Sequence, residues 1–222
     1  MFNLLRIVRR YENFSALVYR MLHRSFFRVD RNNEIDIRYC FASSCKIIIK
    51  GYGNKIIVDK GLVRLKKCRI YINGNNNLIR ISSGCVCKNV EFYLEDDNNE
   101  IIIAPDVQMT GNTHLAAIEG TKIEIGSNCL FSQNITIRTG DSHSILDDKT
   151  RIRLNPSQSV KVGDHCWIGH SVTILKGTII GEDSVVATGA VLTGKSYPVN
   201  CIVGGIPAKV LKSGINWSHE RI

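Results

Sequence analysis

Aliphatic residues recur at every sixth position in the C-terminal half of the chain. From residue 162 onward, the first positions of successive hexads are Val162, Ile168, Ile174, Ile180, Val186 and Leu192. The fifth positions are small or β-branched, namely Cys166, Val172, Thr178, Ser184, Ala190 and Ser196. A helix or an alternating sandwich strand would not give a period of six. The pattern predicts an all-β solenoid of the left-handed parallel β-helix type, with one large aliphatic side chain per strand inside.

The upstream half carries a looser repeat. Segments that open with Asn or Gly and continue into aliphatic residues start at Gly53, Asn76, Asn98 and Gly120, at spacings of 22 or 23 residues. Each segment predicts one coil, in which a turn feeds a short strand. The pattern then breaks over residues 139–160, which are polar. Because a long irregular segment in a regular solenoid is usually functional, we expect an active-site loop there, within a solenoid spanning residues 35–205.

The two ends lack the repeat. Residues 1–28 place apolar side chains on one helical face and arginines largely elsewhere, which predicts an amphipathic helix in an N-terminal segment of residues 1–34. This helix would either cap the open end of the solenoid or lie on a membrane surface. Residues 206–222 form a short basic tail, which we expect to be helical.

Glycine and cysteine occupy repeat positions that exclude large side chains. Second-position glycines are expected where a corner needs positive φ, at Gly163, Gly169 and Gly181. Of the eight cysteines, Cys85, Cys129 and Cys166 fall at positions kept for small residues. We therefore expect buried reduced thiols rather than disulfides or metal ligands, which points to a reducing cytoplasm.

The net charge and the hydropathy of the chain limit its possible binding partners and its location. The chain has 29 Lys and Arg against 20 Asp and Glu, a formal charge of +9, which favours phosphates, acidic glycans, nucleic acid or a membrane surface. No apolar run reaches the ~18 residues of a transmembrane helix, and the N-terminus does not fit a secretory signal. We expect a cytoplasmic protein, with the inner face of the membrane as an alternative location through residues 1–28.

His143 is the candidate general base. It begins the irregular loop, outside the aliphatic repeat, and a neutral imidazole can take a proton from a hydroxyl group. Asp141 lies two residues earlier, where its carboxylate would either fix the imidazole tautomer or cap a turn. Both roles for Asp141 stay open at this point.

These residues resemble the hexapeptide-repeat O-acetyltransferases, and within them the enzymes that acetylate bacterial capsular and O-antigen polysaccharides. The resemblance covers about residues 120–217 and rests on Asp141-x-His143-Ser144-Ile145, Val162-Gly163-Asp164-His165-Cys166-Trp167-Ile168-Gly169, Ile174-Leu175-Lys176-Gly177, Gly189-Ala190-Val191-Leu192-Thr193, Gly204-Gly205-Ile206-Pro207-Ala208-Lys209 and Gly214-Ile215-Asn216-Trp217. It implies acetyl-CoA as donor, a sugar hydroxyl as acceptor and a homotrimer with the donor groove between subunits.

The resemblance also assigns roles to individual residues. It implies His143 as base and Trp167 at the thioester end of the donor groove. The groove would pass Gly169, His170, Thr188 and Thr193 and end at Lys209 and Lys212, which match positions that meet CoA phosphates. His170 and Thr188 depart from the small residues common in relatives.

Charge is the only sequence feature that bears on the identity of the acceptor. Lys149, Arg151 and Arg153 lie in the loop and could pair with the carboxylates of an acidic glycan, or could simply solvate the loop beside Asp147 and Asp148.

Three other functions compete with acetyl transfer. A metal enzyme resembling the γ-class carbonic anhydrases would use His165 and His170, but these occupy different repeat positions, and no metal is expected. A non-catalytic solenoid would need neither His143 nor the basic tail. Nucleic-acid binding is disfavoured because aromatic residues are only 7% of the chain and form no evident stacking platform.

Overall fold

The computed structural model describes residues 25–221, and this part of the chain is a solenoid of β-strands without a helix. Eight coils of three strands each stack into a prism with three parallel sheets, so coil 1 contains the first three strands of the chain and coil 8 contains the twenty-second to twenty-fourth. The repeat of six produces this arrangement because each hexad supplies one short strand and one corner. The predicted all-β solenoid is confirmed.

The strands alternate among three faces, called sheets A, B and C. Sheet A contains β1 (Phe26–Val29), β4 (Lys46–Lys50), β7 (Arg69–Asn73), β10 (Val90–Glu95), β13 (Thr113–Ile118), β16 (Ile135–Arg138), β19 (Thr173–Ile174) and β22 (Val191–Leu192). Sheet B contains β2 (Glu34–Asp36), β5 (Lys55–Val58), β8 (Leu78–Ile81), β11 (Glu100–Ile103), β14 (Lys122–Ile125), β17 (Val160–Val162), β20 (Ile179–Ile180) and β23 (Ser196–Tyr197). Sheet C contains β3 (Cys40–Ser43), β6 (Val63–Lys66), β9 (Val86–Lys88), β12 (Gln108–Met109), β15 (Leu130–Phe131), β18 (Trp167–Ile168), β21 (Val185–Val186), β24 (Cys201–Gly205) and β25 (Ala208–Ser213).

The core is a column of aliphatic side chains inside the prism. All six first-position residues of the hexads are buried, as the repeat predicts, and so are the eight cysteines, none of which forms a disulfide. One position departs from the predicted register, because Ser196 is exposed and Tyr197 is buried. The step from Leu192 to Tyr197 is therefore five residues, and the tyrosine fills the place expected for a first-position aliphatic residue.

The second-position glycines are required for a different reason from the one expected. Gly163, Gly169 and Gly181 do not have positive φ. A Cβ at Gly163 would instead lie 2.6 Å from the backbone nitrogen of Glu182 in the next coil. Left-handed backbone occurs later in the hexad, for example at His165 with φ 50°. Close stacking of coils, rather than corner φ, excludes a side chain at these glycines.

A ladder of buried asparagines fixes the corner between sheets A and B in the N-terminal coils. Asn54 Nδ2 donates to Asn33 Oδ1 at 3.0 Å, Asn77 Nδ2 to Asn54 Oδ1 at 3.0 Å, and Asn99 Nδ2 to Asn77 Oδ1 at 3.0 Å. Asn99 Oδ1 then accepts the backbone N–H of Thr121 at 3.1 Å. The repeated Asn positions that predict coils are thus buried hydrogen-bonding groups, each donating to the preceding coil and accepting from the following one.

The structure bears on the two ends to different extents. The helix predicted over residues 1–28 lies outside the described residues except for its last part, where Phe26–Val29 is strand β1. The helical tail after residue 206 is wrong, because β25 (Ala208–Ser213) pairs antiparallel with β24. The last coil leaves one edge of sheet C unpaired, and a hairpin satisfies those backbone groups where a helix would not. The described residues contain no helix able to span a membrane.

Candidate active site

Residues 139–159 form an ordered hairpin that leaves sheet A after Arg138 and returns to sheet B at Val160. Its two arms meet at an antiparallel bridge between Leu146 and Arg153. The backbone N–H of Leu154 donates to the carbonyl of Ile145 at 2.7 Å. The predicted irregular loop is therefore a fixed projection from the corner between sheets A and B.

Asn155 holds the base of this hairpin. Its Nδ2 donates to Asp141 Oδ2 and to the carbonyl oxygen of His143, each at 2.8 Å, and its Oδ1 accepts the N–H of Ile145 at 2.7 Å. These bonds fix the backbone at His143 and at Ile145. Asn155 is 7% exposed. Sequence reasoning missed Asn155, for which the sequence signal is slight: an asparagine before Pro156 at the end of a polar segment.

Asp141 is held by Lys176 and Asn155 rather than by the imidazole. Lys176 Nζ donates to Asp141 Oδ2 and, at 3.1 Å, to the carbonyl oxygen of Asn155. Lys176, followed by Asn155, lowers the pKa of Asp141 below its ordinary value. The His143 imidazole is exposed and has no hydrogen-bond partner within residues 25–221. Asp141 thus acts on the loop that carries His143 and leaves the ring free to meet a ligand.

The loop cations are placed differently from one another. Arg153 forms an ion pair with Glu119, with Nη2 2.7 Å from Oε1, and this arginine lowers the pKa of Glu119. Lys149 and Arg151 are exposed at the hairpin tip and form no ion pair among the described residues. Arg153 therefore fastens the hairpin to the solenoid, and contact of the three cations with an acceptor stays a prediction.

The residues assigned to the donor groove, with the exception of Thr193, lie on another side of the prism. Trp167 points outward from β18 and is 43% exposed. Gly169, His170 and Thr188 follow strands β18 and β21 at the corner between sheets C and A, whereas Lys209 and Lys212 lie on β25. Gly169 and Thr188 are adjacent, since a Cβ at Gly169 would lie 2.8 Å from the nitrogen of Thr188.

The predicted site residues therefore form two groups within one chain. Asp141, His143 and the loop cations belong to the corner between sheets A and B, and Thr193 follows β22 at that same corner. The other donor-groove residues belong to sheet C and its corner with sheet A. Within one chain, the predicted base and most of the residues predicted for the donor groove thus lie at different corners of the prism.

A second tryptophan lies beside Trp167. Trp217 is in the tail after β25, and its ring centroid is 5.9 Å from that of Trp167. Its indole Nε1–H donates to the carbonyl oxygen of His165 at 2.7 Å. The tail that sequence reasoning treated as a basic extension thus supplies an aromatic wall next to the expected thioester end of the groove.

No three His, Cys, Asp or Glu side chains converge in a metal-binding arrangement in the part of the chain that the structure describes. His165 Nδ1 instead lies 2.8 Å from Asp183 Oδ1, and His170 is exposed at a different corner.

Comparison with known proteins identifies the class. Residues 159–194 match the bacterial transferase hexapeptide family, described as six repeats. The chain is 30% identical over 172 residues to the polysialic acid O-acetyltransferase of Neisseria meningitidis, covering 68% of this chain and 80% of that protein. The crystal structure of the polysialic acid O-acetyltransferase OatWY superimposes with a TM-score of 0.78 at 26% identity, covering 90% of this chain and 93% of that one. The polysialic acid-specific acetyltransferase NeuO gives a TM-score of 0.76 at 25% identity, covering 88% and 83%.

The chain therefore belongs to the hexapeptide-repeat O-acetyltransferases. It is an acetyl-transferring enzyme, as the resemblance of its motifs implies.

Proposed function

We propose that this enzyme moves an acetyl group from acetyl-CoA to a hydroxyl of an acidic bacterial surface polysaccharide of the capsule or O-antigen, or of its precursor. The observation that carries the proposal is the exposed His143 imidazole on a hairpin whose backbone is fixed by Asn155. The relatives that act on polysialic acid, an anionic polymer of sugars, support the choice of an acidic acceptor.

His143 is the general base in this proposal. A neutral imidazole takes the proton of the sugar hydroxyl as that oxygen attacks the thioester carbon, and it later returns the proton to the departing thiolate. A positioned base contributes about 10²–10⁴-fold to the rate. Backbone or indole N–H groups near the carbonyl oxygen would stabilise the negative charge that develops there. Positioning of the two substrates supplies much of the remainder.

The separation of the two residue groups supports assembly of the site between subunits. The corner that carries His143 would meet the Trp167 side of a neighbouring chain, and closed cyclic symmetry would repeat this contact. We assign the enzyme a homotrimeric state and a left-handed coil sense because the resemblance to the hexapeptide-repeat acetyltransferases implies both. Each site would combine the base of one chain with the donor groove of the next.

The donor groove in this proposal follows sheet C toward the tail. Trp167 lines its thioester end, Gly169 and Thr188 leave room for an extended pantetheine chain, and His170 contributes at the same corner. Thr193 would come from the corner that carries the base. Lys209 and Lys212 are exposed on β25 and suit the phosphates of CoA. On the acceptor side, Lys149, Arg151 and Arg153 are the candidate partners of a glycan carboxylate, and Arg153 is also paired with Glu119.

The reduced state of the thiols supports a cytoplasmic location. All eight cysteines are free and buried, which suits a reducing compartment.

Two variants and their mixture test the proposal. We expect His143→Ala and Trp167→Ala each to lose acetyl transfer to polysialic acid with acetyl-CoA as donor, while melting behaviour persists. Mixed oligomers of the two variants should regain activity, because one subunit supplies His143 and its neighbour supplies Trp167. His114→Ala on sheet A is the matched control. Activity of His143→Ala within tenfold of the parent would exclude it as base, and a mixture without activity would exclude the shared site.

A further inference from the structure

A groove on the outer face of sheet C, in coils 1 to 3, plays no part in the site proposed above. It has a volume of about 460 Å³. It is lined by the apolar residues Phe41, Leu62 and Val86 and by the cations Arg64, Lys66 and Lys88, with the buried core residues Leu65 and Cys87 as its floor. We call it the basic groove.

The rim cations are available to a ligand. Arg64, Lys66 and Lys88 are exposed, and none of their side chains forms an ion pair or hydrogen bond within residues 25–221. No acidic residue is among the described residues that line the groove. The nearby carboxylate of Asp59 is already paired with Arg80 at 3.0 Å. Three cations that have no counter-charge among the described residues, around an apolar floor, favour an anionic ligand with apolar faces, as in an acidic sugar.

One row of outward positions joins the basic groove to Trp167. Along sheet C, the register pairs Val86 with Gln108, Gln108 with Leu130, and Leu130 with Trp167. Neighbouring strands lie ~4.8 Å apart, so Val86 is roughly 14 Å from Trp167 along the sheet. The donor groove proposed above leaves Trp167 in the opposite direction, toward β25. A chain-like acceptor at Trp167 can therefore follow sheet C to the basic groove without crossing the donor.

We infer that the basic groove binds sugars of an acidic polysaccharide acceptor that are remote from the acetylated sugar. This inference rests on the proposed function. Charge favours that occupant over the N-terminal segment of the same chain, since residues 1–24 carry Arg6, Arg9, Arg10, Arg20 and Arg24 against Glu12. A cationic segment would add like charge to a cationic rim.

The test compares acceptors of two lengths on the full chain. The variant is Lys66→Ser with Lys88→Ser, and the matched control is Lys55→Ser with Lys161→Ser, which removes the same charge from sheet B. The acceptors are long-chain polysialic acid and a sialic acid trimer. We expect the groove variant to raise the KM for the long chain by about tenfold at low salt. The KM values for the trimer and for acetyl-CoA should stay unchanged, and the control should match the parent.

The outcomes separate the inference from the proposed function. A parent enzyme that acetylates both acceptors, with equal KM changes for both lengths or none in the groove variant, overturns the basic groove and leaves the function standing. A KM effect of equal size in the sheet B control also overturns it. A parent that acetylates neither acceptor overturns both. Binding of fluorescent polysialic acid without acetyl-CoA should weaken in the groove variant alone, which locates the effect in acceptor binding.

Discussion

The ring of Trp217 lies flat against the imidazole of His165, with centroids 4.4 Å apart and planes 10° apart. The imidazole in turn contacts Asp183, so an ion pair or hydrogen bond fixes the surface on which the indole rests. Stacking of this kind, together with the indole hydrogen bond, orders the tail after β25. The wall beside Trp167 is therefore built by the last residues of the chain.

Tryptophan fluorescence should report donor binding. The chain has two tryptophans, Trp167 and Trp217, and they lie in one cluster. Because Trp167 is proposed to line the groove, we expect acetyl-CoA to change the emission saturably, after correction with free tryptophan. Trp167→Phe should remove most of that change and Trp217→Phe should retain part of it. An undiminished response in Trp167→Phe would place the donor elsewhere.

Asn155 should act as a positioning residue for His143. Asn155→Ala removes the bonds to Asp141, to the His143 carbonyl and to the Ile145 N–H. A displacement of the base of about 1 Å lowers kcat about 10²-fold. We expect the KM for acetyl-CoA and the melting temperature to change little, since the hairpin projects from the core. Asn112→Ala, at an exposed position on another corner, is the control. A loss confined to KM would contradict the positioning role.

The hairpin base should loosen only in strong acid. Lys176, then Asn155, lowers the pKa of Asp141, so the ionised carboxylate stabilises the hairpin. That contribution is complete above the ordinary aspartate pKa of ~3.9 and is lost as the pH falls through the lowered value. Hydrogen exchange of residues 140–156 should thus be protected equally at pH 7 and pH 5. Asp141→Asn should reduce protection at both values, whereas Asp148→Asn, at the tip, should not. Equal protection in Asp141→Asn and Asp148→Asn would show that the Asp141 carboxylate does not stabilise the hairpin.

The register of the core predicts opposite outcomes for two isoleucines. Ile174 is fully buried, whereas Ile179 is 45% exposed on the next strand. Ile174→Asp places an unpaired carboxylate in the dry prism at a cost of several kcal/mol, comparable with the ~5–15 kcal/mol that stabilise a typical domain. We expect Ile174→Asp to be insoluble on expression and Ile179→Asp to be soluble and folded by circular dichroism. Soluble Ile174→Asp protein would contradict the register.

The fold was predictable where the sequence repeats, and the site was predictable only in part. The burial of a residue such as Ile174 can be predicted from the period of six, because every coil needs an aliphatic side chain at the same position. Tyr197 breaks that period by one residue and cannot be placed by it. Asn155 and Lys176 come from separate segments that meet only after the coils stack, so their bonds to Asp141 leave no local pattern. The tail strand was missed because its pairing depends on the open edge of β24 rather than on its own periodicity.

The stacking of coils fixes the distance between Trp167 and the basic groove. Each coil advances sheet C by one strand spacing of ~4.8 Å, so the distance from Trp167 to Val86 is set by a whole number of coils. Loss or gain of one coil between Val86 and Trp167 would change that distance by one step while leaving both ends intact, since each coil contacts mainly its neighbours. If the basic groove binds the acceptor as inferred, the shortest acceptor that spans both ends would change with it. The number of coils between these two residues would then set the shortest glycan that benefits from the basic groove.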